Sequence, residues 1–201
     1  EGGPTGSVNE NRFFNNVPES LEENLEAMDD LGGPAHFNHY PWGWAWAGDT
    51  PFRRWKRETY RGGASDPLVV HWPDGIEAEG EVREQFVHAI DLVPTILEVI
   101  GIEPPDEVKG VAQSPIEGES FAYTFENPDA PEQHNTQYFE MLATRAIYHD
   151  GWRAVRPWPF QEPITAEDLS ATTLEASGWE LYHVEEDFSE AHDVASEHPE
   201  K

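Results

Sequence analysis

A cluster of basic side chains offers the clearest opportunity for chemistry in this sequence. The chain has 12 Lys and Arg against 40 Asp and Glu, and five of those 12 cations fall within one short stretch. They are Arg53, Arg54, Lys56, Arg57 and Arg61. Lys and Arg donors form charge-assisted hydrogen bonds with sulfate, phosphate or carboxylate, so the cluster is typical of a small-anion site. The alternative is a solvated surface whose cations neutralise nearby acidic groups.

A second candidate surface is the aromatic stretch 34–48. It carries three tryptophans that alternate with small residues, Trp42, Trp44 and Trp46. These rings could line a cleft that takes an aromatic or sugar ring, and the alternative that we favour is packing as core. Gly and Pro in the stretch predict an ordered loop. His36 and His39 are three residues apart, a spacing that suits a metal pair only on a helix. Because this stretch is predicted to be a loop, we predict no metal site here.

Two helices are expected around these stretches. Apolar residues recur at helical spacing over residues 18–31, and Gly32–Gly33 ends that pattern. A second helical pattern covers residues 84–100, where Asp91 with Pro94 marks a start and Gly101 marks a stop. We interpret the Asp91 carboxylate as a helix cap rather than as a catalytic group.

The remaining elements read as β-structure. Residues 67–72 are a short β-branched run that predicts a buried strand of an α/β sheet. A strand is predicted within 136–144, a hairpin over 146–155 with a tight turn at Asp150–Gly151, and a last strand over 179–184. Residues 157–178 are predicted to be loop with a short helix.

The composition limits the choice of partners. The formal net charge of −28 argues against nucleic acid and anionic membranes as partners. It also suggests a high-salt setting, in which screening relieves self-repulsion and stability rises with added salt. There is no Cys, no signal peptide pattern and no apolar run as long as a membrane span. The first residue is Glu, so we expect a processed chain or part of a longer one.

Four blocks of the sequence resemble the sulfatase family, in particular bacterial arylsulfatases. The first contains Thr-Pro-Phe-Arg at 50–53, Lys56, Gly62–Gly63 and a run from Pro67 to Trp-Pro at 72–73. It departs from the family at Ala64-Ser65-Asp66, where Ile-Arg or Val-Arg is usual. The others cover 85–101, 136–155 and 179–195, in the order that the family has them.

The resemblance implies the C-terminal part of an alkaline-phosphatase-like α/β fold. Residues 1–112 would complete the α/β/α domain, and residues 113–201 would form a small α+β subdomain with an antiparallel sheet. In the family the lysine of the first block reaches the substrate sulfate, so Lys56 is the expected catalytic and sulfate-binding residue. We add Trp42, Trp44 and His39 as candidate substrate contacts. His71 and His149 could also lie at a pocket rim, and each is more often structural.

The family chemistry requires parts that this sequence lacks. Its nucleophile is a formylglycine made from a Cys/Ser-x-Pro-x-Arg motif, and its calcium ion is held by Asp and Asn side chains. Neither motif occurs here, so both cofactors are expected upstream, and the missing N-terminal part of the same enzyme is the expected partner. We expect the chain alone to be inactive. The substrate would be a small sulfated molecule.

Two alternative functions stay open. A phosphoester or phosphonate hydrolase of the same superfamily would use Lys56 in the same way, because lysine binds either anion as a point charge. A non-catalytic glycan-binding or interaction module would use the Trp-rich stretch 40–48. For localisation, the resemblance slightly favours a periplasmic or secreted protein and leaves a cytoplasmic one open.

Overall fold

The structure, a computed structural model, describes residues 8–9, 12, 15–77, 80–157 and 177–201. Within those ranges, none of the helices has both the length and the apolar character that crossing a membrane would require.

Short helices precede a small sheet along the chain. The α-helices are α1 (Leu21–Glu26), α2 (Trp42–Asp49), α3 (Arg61–Ala64) and α4 (Leu92–Ile100). Three 3-10 turns occupy Met28–Asp30, Ala89–Asp91 and Ala122–Thr124. The strands are β1 (Glu107–Val108), β2 (Val111–Ala112), β3 (Thr136–Met141), β4 (Thr144–His149), β5 (Trp152–Arg156) and β6 (Glu180–His183). β1 pairs with β2, and the larger sheet has the order β3-β4-β5-β6.

The chain divides into two compact units. Unit 1 comprises residues 1–66, 139–146 and 152–201, and unit 2 comprises residues 67–138 and 147–151. The division at residue 112 stays a prediction. The expected loop and helix at 157–178 lie almost wholly outside the described residues.

The helix predicted over residues 18–31 is confirmed as α1 and the 3-10 turn that follows it. Ser20 begins α1 with a capping box, in which its hydroxyl accepts from the Glu23 N–H at 3.2 Å and the Glu23 carboxylate accepts from the Ser20 N–H at 2.9 Å. No residue of α1 is buried. The apolar stripe that predicted the helix therefore faces outward in this unit.

The loop predicted across residues 34–48 is wrong in its second half. Residues 42–49 form α2, which begins directly after Pro41. Helical spacing places Trp42 and Trp46 on one face, where both rings pack against Trp55 at centroid distances of 5.6 and 6.0 Å. This tertiary contact overrides the low helix propensity of Gly and Trp.

The core of unit 1 is built on β4, β5 and β6. Ala146, Val155 and Tyr182 are fully buried and pack together with Tyr60. The antiparallel β5–β6 pair sets Arg153 opposite Tyr182. The strands predicted within 136–144 and over 179–184 are confirmed as β3 and β6, and the hairpin predicted over 146–155 is confirmed as β4 and β5. The turn of this hairpin, Asp150–Gly151, has φ values of 45° and 78°, as a type I′ turn requires.

In unit 2, the strand predicted at residues 67–72 is wrong. These residues are irregular and exposed, with Val69 at 87%. A strand that is buried on both faces needs sheet neighbours on each side, and the described part of the chain supplies none to this segment. The apolar side chains of this segment, among them Leu68, Val69 and Val70, are therefore exposed.

Asp91 organises the start of α4 in unit 2. Its buried carboxylate accepts from the His88 N–H at 2.7 Å, from the Glu119 N–H at 2.9 Å and lies 2.8 Å from His134 Nδ1. Gly101, at φ 69°, ends the helix as predicted. The Asp91 carboxylate accepts from the backbone N–H of His88, the residue that precedes the first turn. These contacts agree with the interpretation of Asp91 as a structural carboxylate at the helix start.

Candidate functional site

Lys56 lies at the tip of a tight turn in unit 1. The turn is closed by a hydrogen bond of 3.1 Å from the Glu58 N–H to the Trp55 carbonyl. Both central residues, Lys56 and Arg57, are exposed. Arg57 has φ 79° and nearby Arg54 has φ 64°, a backbone conformation that residues other than glycine rarely adopt. Such a conformation persists only where the surrounding structure enforces it.

Two glycines allow α3 to pack directly beneath this turn. A Cβ on Gly63 would lie 2.2 Å from the Glu58 carbonyl oxygen and 2.5 Å from that of Trp55. A Cβ on Gly62 would lie 2.2 Å from the Arg53 carbonyl oxygen. The Gly-Gly pair is therefore required by close backbone approach, and it fixes α3 to both ends of the turn.

Arg53 anchors the N-terminal side of the turn. Its Nη1 donates to the Tyr182 hydroxyl at 3.1 Å and to the Glu190 carbonyl at 2.9 Å, and its guanidinium lies 4.7 Å from the centre of the Tyr60 ring. Charge-assisted bonds and a cation–π contact together hold this side chain against β6 and the loop after it.

Glu190 anchors the C-terminal side of the turn. It is fully buried, and its Oε2 accepts from the Arg61 N–H at 2.7 Å. Its Oε1 accepts a short hydrogen bond from Arg153, whose other terminal nitrogen donates to the Thr59 carbonyl at 2.7 Å. Burial raises the pKa of Glu190, while the charge of Arg153 and the hydrogen bond from Arg61 oppose that shift.

A second acidic group, Glu180, accepts hydrogen bonds from two tyrosines of the core, Tyr60 and Tyr182. Its Oε2 accepts from the Tyr60 hydroxyl at 2.6 Å and, in a shorter bond, from the Tyr182 hydroxyl. Burial and these bonds raise the pKa of both phenols far above the ordinary value. Both hydroxyls therefore stay protonated donors at neutral pH.

The five clustered cations thus divide into two groups. Arg53 and Arg61 are committed to contacts within unit 1, since Arg61 also donates to the Phe188 carbonyl at 2.9 Å and lies over its ring. Lys56 and Arg57 are exposed, and Arg54 is half-buried. A positive surface presented on a fixed turn is suited to a small anion.

The aromatic candidates reach the same part of unit 1 through Trp55, the residue before Lys56. Trp42 and Trp46 pack on that ring, whereas Trp44 is 66% exposed. His39 is half-buried and lies just before α2. Whether Trp42, Trp44 or His39 contacts substrate stays a prediction.

The other histidines considered from the sequence have ordinary surroundings. His71 is exposed, and His149 is exposed with its Nδ1 2.8 Å from the Thr136 hydroxyl. Across the described ranges, no three His, Asp or Glu side chains come close enough together to hold a metal ion.

Sequence reasoning missed Glu190, Arg153 and Glu180. Their hydrogen bonds to Arg61, Thr59 and Tyr60 join residues 129, 94 and 120 positions apart, so no local pattern marks their contact with the basic stretch. The one available signal is that Arg153 alternates into the buried face of the predicted hairpin, where an arginine requires an acidic partner.

Comparison with known proteins gives a consistent result. The family described as N-sulphoglucosamine sulphohydrolase, C-terminal, matches residues 53–161, which is more than half of the chain. An uncharacterized sulfatase of Schizosaccharomyces pombe is 26% identical over 176 residues, covering 86% of this chain and 29% of that protein. The N-acetylgalactosamine-6-sulfatase of Sus scrofa is 39% identical over 57 residues, covering 28% of this chain and 11% of that protein.

Solved structures agree on the fold. The crystal structure of Ps i-CgsB aligns with a TM-score of 0.54 and 22% identity over 75% of this chain and 29% of that chain. A structure from work on glycosaminoglycan metabolism by Bacteroides thetaiotaomicron aligns with a TM-score of 0.54 and 20% identity over 89% of this chain and 39% of that chain. The present chain spans less than a third of the length of the curated relatives it matches.

Proposed function

This chain belongs to the sulfatase family, and on that premise we propose that it is part of a sulfuric ester hydrolase in which Lys56 contacts the substrate sulfate. Its fold is the C-terminal part of the alkaline-phosphatase-like sulfatase fold, as predicted.

The observation that carries the proposal is the family match that begins at Arg53 and includes the Lys56 turn. The turn is rigidly supported on both sides, by Arg53 and by Glu190, while the Lys56 side chain itself is exposed. This combination supports a binding role, because a preorganised cation interacts with a developing negative charge without reorganisation during the reaction.

Lys56 would act as a point charge on the sulfate oxygens. An ammonium group offers three donors, so it can neutralise charge that builds up on the sulfate as the ester bond breaks. Arg57 and Arg54 would raise the local positive potential in a chain whose formal net charge is −28. The strongly acidic remainder would repel anions from other parts of the surface.

Sulfatases generally use calcium and a formylglycine nucleophile. When bound, calcium would act as a Lewis acid on the sulfate, and formylglycine would supply the attacking oxygen. We propose that residues beyond this chain hold both groups. The sequence contains no Cys/Ser-x-Pro-x-Arg motif, and no three His, Asp or Glu side chains come together among the described residues. We propose further that the 201 residues alone do not turn over substrate.

A second candidate function rests on Trp44. Its ring is 66% exposed on a helix whose opposite face is fixed by the Trp42–Trp55 contact. A rigid exposed indole suits stacking against a sugar ring, either as a substrate contact or in a non-catalytic glycan-binding module. Binding of a glycan by Trp44 without any hydrolysis would favour the module.

The experiment that tests the proposal uses the complete reading frame that encodes these residues. We expect the purified product to release 4-nitrophenol from 4-nitrophenyl sulfate much faster than from 4-nitrophenyl phosphate. Comparable or faster release from the phosphate ester would favour a phosphoester hydrolase of the superfamily. Hydrolysis of neither ester, together with retained glycan binding, would favour the binding module. Cell fractionation would test the proposed periplasmic or secreted location.

A further inference from the structure

We propose that Glu190 is a positioning residue for Lys56, which it holds in place through the backbone of residues 59–61. The effect that we expect on catalysis rests on the proposed function of Lys56. The effect of Glu190 on the conformation of the turn follows from contacts within unit 1 alone.

The Glu190 side chain is held in its buried position by two donors. It is fully buried, yet both of its oxygens are used, Oε2 by the Arg61 N–H and Oε1 by Arg153. A buried carboxylate is costly unless donors satisfy it, so these two bonds define the conformation in which Glu190 can be buried.

The bonds of this network act on the backbone next to the Lys56 turn. Arg61 N–H and the Thr59 carbonyl, which accepts from Arg153 at 2.7 Å, belong to the segment directly after the Lys56 turn. Arg61 also begins α3, whose Gly63 lies against the carbonyls that bracket Lys56. The network therefore acts on the backbone that sets the position of Lys56.

Only a carboxylate fits the two donors that Glu190 meets. Replacing Glu190 by Gln turns one acceptor oxygen into an NH2 group, which would then face either the Arg61 N–H or the Arg153 guanidinium. Two donors would oppose each other in a buried site. Glu190→Asp keeps both acceptor oxygens and the charge on a side chain that is shorter by one methylene.

The first test measures hydrogen exchange in the product of the complete reading frame and needs no activity. We expect Glu190→Gln to speed exchange of the Arg61 amide at least tenfold, with smaller increases at residues 56–58. Glu185→Gln is the matched control, since it removes the same charge from an exposed position in the same loop. Equal exchange in the two variants would overturn the inference. If the Gln variant fails to fold by circular dichroism, Glu190→Asp is compared with Glu185→Gln instead. A smaller increase in exchange at Arg61 is then expected, because the carboxylate on the shorter side chain lies farther from the Arg61 N–H, and equal exchange would overturn the inference.

The second test separates positioning from mere stability and uses the complete reading frame. At a temperature where all variants are folded, we expect Glu190→Gln to lower kcat for 4-nitrophenyl sulfate at least tenfold, and Glu190→Asp to recover part of the loss. In a Lys56→Ala background the same change should have almost no effect, because Glu190 acts through Lys56. Additive losses would overturn the inference. Full activity of Lys56→Ala would instead overturn the proposed function, with the exchange result still deciding the role of Glu190.

Discussion

Arg53 donates a hydrogen bond of 2.9 Å to the backbone carbonyl of Glu190, across 137 positions of the chain. The Glu190 carboxylate accepts in turn from the Arg61 N–H. One residue near the C-terminus thus contacts the basic stretch on both sides of Lys56. The cations that looked equivalent in the sequence have different roles, and the two that flank the turn support it.

Gly63→Ala should disrupt the Lys56 turn. The added Cβ would meet backbone carbonyl oxygens at 2.2 and 2.5 Å, and backbone atoms cannot move aside as a flexible side chain can. We expect a loss of about 1–3 kcal/mol in the free energy of unfolding, as is typical of overpacking. Urea denaturation measures it.

Gly43→Ala is the matched control for that substitution. Gly43 lies in α2, is exposed, and a Cβ there would have no neighbour within 4 Å. Because Ala favours the helix by about 1 kcal/mol over Gly, this variant should be slightly more stable than the wild type. A destabilised Gly43→Ala, or a neutral Gly63→Ala, would contradict the packing described here.

Asp49→Asn should stabilise unit 1 at neutral pH. Burial, and secondarily the charge of Asp66, raise the pKa of Asp49 above its ordinary value. The charged form is therefore disfavoured in the folded state, and the wild type loses stability as pH rises through the raised pKa. Asn cannot ionise, so its advantage should grow from pH 4 to pH 8.

The control for this pH series is Asp74→Asn, which removes one negative charge from an exposed position in the same acidic chain. Denaturation midpoints of both variants are compared with the wild type at each pH. A difference between Asp49→Asn and the wild type that is constant with pH would show that Asp49 titrates normally.

Asp91→Ala should destabilise unit 2 strongly. It removes the acceptor of the His88 and Glu119 amides and the partner of His134. Since each buried donor that is left unsatisfied costs about 1–3 kcal/mol, we expect a loss of about 3 kcal/mol or more. The urea midpoint measures it, with exposed Asp129→Ala as the control. Similar midpoints for the two variants would contradict the structural role of Asp91.

Local sequence chemistry predicted the elements whose geometry depends on neighbouring residues. Asp150–Gly151 adopts the two positive φ values that an Asp-Gly hairpin turn favours, and Gly101 ends α4 in the left-handed conformation. Both features follow from backbone preferences of the residues themselves. They could therefore be predicted from the sequence without knowledge of the fold.

Elements that depend on distant partners were predicted less well. The helix at Trp42–Asp49 is stabilised by packing on Trp55, and the alternating tryptophans concealed the spacing of four between Trp42 and Trp46. The run at 67–72 has the composition of a buried strand but has no pairing partner among the described residues. The composition of a segment shows which side chains it could bury, but it does not show which other segment they pack against.

The candidate site shows the same limit. The basic cluster could be recognised from residue types and spacing, because its members lie close together in the sequence. Within it, the resemblance to the sulfatase family singled out Lys56. Glu190 could not, since its bond to Arg61 joins residues 129 positions apart. The division of the cluster into supporting and exposed cations likewise needed the three-dimensional structure.

The kinetics of Lys56→Ala test the central claim most directly, measured on the complete reading frame with 4-nitrophenyl sulfate and with Lys109→Ala as the control for loss of an exposed lysine. Removing one contact to a developing oxyanion commonly costs roughly 3 kcal/mol, so kcat should fall about a hundredfold with the fold intact by circular dichroism. Lys109→Ala should retain wild-type turnover. If Lys56→Ala turns over the sulfate ester as fast as Lys109→Ala, then Lys56 does not contact the reacting sulfate.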